Sequence, residues 1–456
     1  MRVILSALLC FASVPLHAEV WEKLIRPGLT YRMEMDLSIP RVVHALKFHR
    51  GSTGAEARAE IAGDSIFLAD ASNGRQTLSE MVRSKGAIGG INGDYFPYTG
   101  DPVGAMVRAG ELLSRPYKSR AVLAWGRGGS EIASLTWSGR IVAQAVQPMA
   151  ISGLNEACGT DALVLNTASA GLAKATPPCL YVVVKFQDPV TWGPNCRHRG
   201  FVDAMVADIE TLPIAPGTAV LAATGSKARL LASLARGDEL TISMTTQGLD
   251  FAKYDYVIGG GPNLIRKGQL AIDWEASEFK SSFALNRHPR TAVGRTLEGD
   301  LWFVVVDGRQ EVSVGATLEE MARIMARLGC IDAMNVDGGG STTINLFGLT
   351  VNRPSEGAER PISNAILLFG DAPVTNPVMM VIQGPAKMNV GSTASYRVIG
   401  PDGQPLPDRD VLWTSQGAAW IDQGGMARAL RAGACTLTAW AQGQVLSMSV
   451  TVEAPG

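Results

Sequence analysis

The sequence predicts an α/β chain of the α+β type: a strand-rich mixed domain with few helices, followed by a small all-β sandwich. Three observations predict it. Between about Leu29 and Leu368, short apolar runs such as RVVHALKFH, AVLAW, YVVVKF, ELTISM and LWFVVVD alternate with Gly-rich turns, as strands do. Helical spacing is rare over the same span, so regular βαβ winding is not expected. After Phe369, GDAPVTNPV has the composition of a linker, and the runs VMMVIQG, STASYRVIG, VLWTSQ, MARALRAG, CTLTAWAQG and LSMSVTVE beyond it lack any helical period.

Each element has its own signal. The clearest helix is TLEEMARIMARLG, where Thr317 and Glu320 form a capping box, Leu318, Met321, Met325 and Leu328 share one face, and Gly329 supplies the stop. Those methionines are core packing. ARLLASLARGDEL, from Ala228 to the stop at Gly237, is a second helix. The start MRVILSALLCFASVPLHAEV places Arg2 before an apolar run and Ala18 at a cleavage position, so residues 1–18 read as a signal peptide and the protein as exported, periplasmic or secreted. The expected boundaries are 19–370 for the strand-rich mixed domain, 371–376 for the linker and 377–456 for the β domain.

With 46% hydrophobic and 18% charged residues, the 456-residue chain can bury sizeable cores and has no case for disorder. Lys plus Arg (41) nearly balances Asp plus Glu (42), which removes the broad positive field that nucleic-acid binding needs. No later segment is long and apolar enough to span a bilayer. Beyond the leader, Cys158, Cys179, Cys196, Cys330 and Cys435 allow at most two disulfides, and the first three lie near enough in sequence to offer one. They lack the paired spacing of a zinc site.

Chemistry concentrates at NVDGGGSTTINLF, residues 335–347. Asp337 follows a strand, and loops at strand ends collect sites. Gly338, Gly339 and Gly340 could turn backbone N–H groups into an anion nest, with Ser341 and Thr342 adding hydroxyls; a tight turn is the plain alternative. HPRTAVG sets His288, Arg290 and Thr291 before the strand LWFVVVDGR, which carries Asp307 and Arg309. GGINGDYF carries Asn92 and Asp94, and ERPISNAILLF carries Arg360 and Asn364. Arginine forks suit phosphate. G-x-S-x-G, H-E-x-x-H and P-loop signatures are missing.

In the order NGDYF, GGGPNLI, HPRTAVG, VVDGR, TLEEMARIMARLGCIDAMNVDGGGSTT, VNRP and ERPISNAILL, the chain from about Leu29 to Phe369 resembles the phosphodiester glycosidase family. The tail resembles bacterial immunoglobulin-like modules of group 2, in VGSTASYRV, VLWTS and ALRAGACTLTAW. Where this chain has Asp94 the family more often has glycine, so a shared catalytic role for Asp94 is in doubt while Asn92 keeps its place.

The first resemblance implies an exported hydrolase that frees a sugar from a phosphodiester, with a sugar-phosphate or polysaccharide as partner. The second suggests a spacer or a wall or glycan contact. On that basis Asp337 is expected as principal carboxylate, either general base or stabiliser of an oxocarbenium-like transition state, with Asp307 as its partner and His288 as proton carrier. Asn92, Asp94, Thr291, Arg290, Arg309, Arg360, Asn364 and the loop from Gly338 to Thr342 are expected to hold substrate. No cofactor is expected; carboxylates such as Asp94 and Asp337 leave Ca²⁺ or Mg²⁺ open. A non-catalytic glycan binder and attack at phosphorus are the alternatives.

Overall fold

The strand Leu301–Val306 is buried at every residue, and its alternation shows why. Leu301, Phe303 and Val305 enter one core, whereas Trp302, Val304 and Val306 enter another, as a side-chain period of two requires. In the computed structural model, which describes residues 18–36, 38–68, 74–97, 99–371 and 378–454, this strand lies inside an eight-stranded sheet. Its order is Glu19–Arg26, Leu29–Asp36, Arg41–Phe48, Leu301–Val306, Arg290–Thr296, Cys330–Asn335, Asn263–Arg266 and Gln269–Leu270. The helix Leu318–Arg327 packs Leu318, Met321 and Met325 against one face. Thr317 and Glu320 close its capping box as the spacing predicts, and Gly329 leaves the helix with a φ of 84°.

The other face meets two five-stranded sheets. One runs Leu349–Thr350, Ile344–Leu346, Gly89–Asn92, Asn364–Phe369 and Glu56–Ile61; the other runs Glu111–Ser114, Met106–Arg108, Tyr256–Gly259, Ala121–Gly126 and Gly129–Ser134. Tyr31, Leu46, Phe303 and Met334 share a single core with Ile91, Ile366, Leu123 and Ile258 from these sheets. A second eight-stranded sheet, containing Thr136–Ala143, Cys179–Lys185 and Glu239–Gln247, covers the outer side of the Tyr256 sheet.

Among the described residues of this region strand pairing is antiparallel except for Gly153–Leu154 with Leu163–Asn166 and the isolated bridge of Cys158 with Ala175, in keeping with the absence of βαβ winding. The helix expected from Ala228 occupies Gly225–Leu231, beginning and ending earlier than its apolar spacing suggests. Leu78–Lys85 is a helix the apolar pattern did not reveal, although Thr77 and Glu80 form a capping box there too.

Residues 381–453 form sheets of their own, with Trp413, Ala427, Leu437 and Val450 in a common core. This module is docked: Trp440 stacks on Phe347 with ring centroids 4.2 Å apart, and the Arg353 guanidinium donates to the carbonyls of Ala419 (3.0 Å) and Gly417 (2.9 Å). The expected signal peptide and linker lie outside the described residues, apart from Ala18 and Asp371. The five cysteines from Cys158 onward are all free, so no disulfide joins Cys158, Cys179 or Cys196. The Cys158 and Cys179 thiols instead point at the carbonyls of Ala222 and Ile209.

Candidate active site

Antiparallel register builds the site. Arg290 begins a strand whose neighbours on both sides run the opposite way, so it pairs with Val306 while Ala292 pairs with Asn335. Residues just beyond those two strand ends, Arg309 and Asp337, therefore emerge beside Arg290. The chain from Val336 to Thr343 then crosses to the facing sheet, where Ile344 pairs with Ile91. A cavity of about 540 Å³ opens there, lined by Asp337, Gly338, Gly339, Gly340, His288, Arg290, Arg309 and Arg360, with Tyr95, Phe279 and Phe283 among its other walls. That volume falls in the roughly 300–1,000 Å³ range of small-molecule sites.

Asp337 is part-buried in this wall. Burial pushes its carboxyl up to about 6, against the Ser341 hydroxyl, the Gly338 N–H and the Arg360 charge, which favour the ionised form. Its Oδ1 accepts from Gly338 N at 2.8 Å. Ser341 Oγ, though near that carboxylate, closes no hydrogen bond of sound geometry, and neither do the hydroxyls of Thr342 and Thr343. All three residues are buried behind the wall and outside the cavity lining, so Ser341 and Thr342 do not present the substrate contacts their position in the motif suggests.

Arg290 is 1% exposed and is the largest fully buried side chain among the described residues. Among the described residues its guanidinium donates only to the carbonyls of Ala316 (2.9 Å), Asn286 (3.1 Å) and Phe283, and Nη1 has no partner. Burial brings its pKa down to about 10, so it stays charged at neutral pH without a carboxylate beside it. A buried cation of this kind requires compensation, and the cavity is where an anion can provide it.

Arg309 is exposed, adopts a φ of 61° and makes no side-chain hydrogen bond or ion pair among the described residues. Left-handed backbone at a non-glycine residue costs on the order of 1 kcal/mol and gathers at functional sites. Arg360 pairs with Glu356.

The three glycines serve a different purpose from an anion nest. The N–H groups of Gly338, Gly339, Ser341, Thr342 and Thr343 are all engaged within the protein, by Asp337, Pro289, Gly338, Gly339 and Asn92 respectively. Gly339 has a φ of 63°. At Gly340 an added Cβ would stand 2.4 Å from Glu356 Oε1 and equally in the way of Arg360, so the bare backbone makes room for that ion pair.

Several expected residues lie behind the site. Asp307, 1% exposed, does not line the cavity. Its Oδ1 accepts from Asn352 Nδ2 at 3.0 Å, the Arg353 N–H reaches both oxygens, and His44 Nε2 lies 3.5 Å away. It anchors the loop that holds the C-terminal module. Asn92 is a clamp: Nδ2 donates to Asp337 O at 2.7 Å, while Oδ1 accepts from Thr291 Oγ1 (2.8 Å) and Thr343 N (3.1 Å), tying both ends of the crossover to both sheets. Thr291 and Asn364 are buried; Asn364 accepts from Asp94 N at 2.8 Å.

Asp94 is 3% exposed, and its oxygens accept from Tyr95 N (2.8 Å) and Gly104 N (2.7 Å). Burial lifts it to about 7, with the Asp337 charge adding to the rise. Because both Asp94 oxygens are occupied and outside the cavity lining, Asp94 and Asp337 are not arranged as a paired cation ligand set. No group of three or more His, Cys, Asp or Glu converges among the described residues. His288 lines the cavity with Nε2 3.1 Å from Ser282 O; a carbonyl only accepts, so that nitrogen is the donor.

An aromatic wall was not foreseen. Phe279 and Phe283 stack with centroids 4.8 Å apart, Tyr95 tilts onto Phe279 at 5.3 Å, and Arg120 lies 4.1 Å over Phe279. Tyr95 is pinned by donating to Gly261 O (2.8 Å) and accepting from Asn335 Nδ2 (2.9 Å). Glu278, also in the lining, pairs with Lys118 at the rim.

Fold and site together define a cavity lined by Arg290, Arg309, Arg360, His288 and the Asp337 carboxyl on a layered antiparallel scaffold. In comparison with known proteins, residues 199–369 match the family model described as phosphodiester glycosidase. The match is narrower than the span from Leu29 over which the motifs are spread. The chain is 37% identical over 82 residues to the SPbeta prophage-derived uncharacterized protein YomE of Bacillus subtilis (strain 168), covering 18% of this chain and 13% of that protein.

Over 102 residues it is 36% identical to the N-acetylglucosamine-1-phosphodiester alpha-N-acetylglucosaminidase of Bos taurus, 20% of this chain and 19% of that one. The chain thus aligns with less than a fifth of either curated relative. A crystal structure of a hypothetical protein from Synechocystis shares the fold, with a TM-score of 0.63 at 23% identity over 75% of this chain and 62% of that one.

Proposed function

We propose that this chain is an exported hydrolase that cleaves a sugar 1-phosphodiester at its glycosidic C–O bond. One observation carries the proposal: the uncompensated buried guanidinium of Arg290 and the Asp337 carboxyl, held at about 6, line the same cavity. The family match and the name of the bovine relative support the substrate class. Arg290 and Arg309 would hold the phosphodiester, with Arg360 nearby, and the Phe279 and Phe283 faces would pack the apolar side of the sugar ring.

The chemistry follows from the leaving group. A phosphomonoester, with a second pKa of about 6, departs without strong acid assistance. Arginines that stabilise its charge replace much of that assistance. Asp337, ionised at neutral pH, takes a proton as water oxygen bonds to the anomeric carbon. The bond from that carbon to the phosphate oxygen breaks, and its electron pair leaves with the phosphate. Asn92 positions Asp337 through its backbone carbonyl. The N-terminal leader pattern supports export, and the self-contained sheets after residue 380 support an immunoglobulin-like module.

Hydrolysis in ¹⁸O-labelled water tests the reaction. Label in the sugar hydroxyl is expected; label in the phosphate would assign attack to phosphorus and overturn the glycosidase mechanism.

A further inference from the structure

A second cavity, of about 900 Å³, lies where the C-terminal module meets the rest of the chain. Arg309, Arg353 and Ser355 line one side, and Gln416, Gly417 and Arg431 line the other. Three arginines face it against a single carboxylate, Glu311. None of the three forms an ion pair among the described residues. Arg353 spends its guanidinium on the carbonyls of Gly417 and Ala419, while Arg309 and Arg431 are exposed and without side-chain partners among those residues. Ser355 Oγ is buried without a partner. A junction built only to join two modules would pair such charges or fill the gap with apolar side chains.

The cleft adjoins the active-site cavity at one shared residue. Arg309 lines both, and its Nη2 lies 3.4 Å from where a Cβ on Gly339 would stand. The segment from Arg353 to Arg360 forms the partition, with Arg353, Ser355 and Gly357 on the cleft side and Arg360 on the cavity side. From this adjacency and the surplus of arginines we propose that the cleft holds the extension of an anionic glycan whose repeat contains phosphodiesters. One linkage would sit at Asp337 and the next over Arg309 towards Arg431. The C-terminal module then contributes directly to substrate binding, through Arg431 and Gln416. This rests on the sugar 1-phosphodiester assignment and deepens it: the substrate is a polymer.

The test compares the full chain on a sugar 1-phosphodiester with one linkage and on an oligomer with several such linkages. The wild type is expected to prefer the oligomer. Arg431→Glu, at an exposed position, is expected to lower the ratio of kcat/KM for oligomer over short substrate about tenfold, the loss of a charge-assisted contact. Gln416→Lys is expected to raise that ratio. A ratio unchanged in both variants, with melting temperatures like that of the wild type, overturns the inference. If neither substrate turns over, the assignment of activity fails separately. Calorimetric titration of the same oligomer then decides the cleft: equal affinity in wild type and Arg431→Glu overturns it, and weaker binding in the variant supports it.

Discussion

Asp307 and Asp337 leave the same end of one sheet, on strands separated only by Arg290–Thr296, yet they occupy opposite chemical situations. Asp307 is enclosed and saturated by Asn352, the Arg353 N–H and nearby His44. Asp337 accepts from Gly338 N, faces a cavity, and is held at about 6 by burial. A carboxylate whose lone pairs are filled by its own fold is a structural anchor. One left short of donors in a cavity that a buried arginine without a carboxylate partner also lines is available for chemistry.

The largest effect should separate the two aspartates. Asp337→Asn is expected to lower kcat by about a thousand-fold, the scale of a lost general base, with ligand binding retained. Asp307→Asn should unfold at lower urea concentration, by about 2 kcal/mol, while its folded fraction keeps kcat/KM within about tenfold of the wild type. A dead but stable Asp307 variant would reverse their roles. Next in size is the approach to acid: because Asp337 must be ionised, kcat/KM should fall about tenfold per unit below about pH 6, and a flat profile from pH 7 to 4 would refute a base titrating there.

Arg309→Gln should raise KM about tenfold without lowering the melting temperature, since Arg309 has no side-chain partner among the described residues to lose. The smallest effect is on stability. Burial holds the Asp337 pKa in the folded chain above the ordinary aspartate value of 3.8. Its protonation thus favours folding fully below about 3.8, and that contribution is lost as pH rises through about 6. At pH 7.5 Asp337→Asn should therefore be more stable than the wild type by about 1 kcal/mol, and the difference should vanish near pH 4; chemical melts at both pH values check this.

Much of the site was legible because its parts are short and local. The helix Leu318–Arg327 follows from its apolar face and capping box, and the following strand and Asp337 loop follow from the stop at Gly329. The second aspartate was misplaced for a reason sequence cannot supply. VVDGR and NVDGGG look alike as strand ends, and only Asn352 and Arg353, more than forty residues after Asp307, decide that it is saturated. Phe279 and Phe283 escaped notice because their segment folds mostly as turns around the five-residue helix Ser281–Leu285, too short to show a period.

By itself the sequence determined strand-rich layering, the separate β module, the capped helix and the set of arginines and glycines near one carboxylate, because side-chain periodicity and turn chemistry act over a few neighbouring residues. Only the tertiary structure decided which of those polar groups find partners. The amides of Gly338, Gly339, Ser341, Thr342 and Thr343 were consumed internally, Asn92 became a clamp and Asp307 an anchor, while Arg290 kept a free N–H among the described residues. Hydrogen-bond saturation belongs to atoms brought together across sheets, and antiparallel register, not proximity along the chain, brought them there.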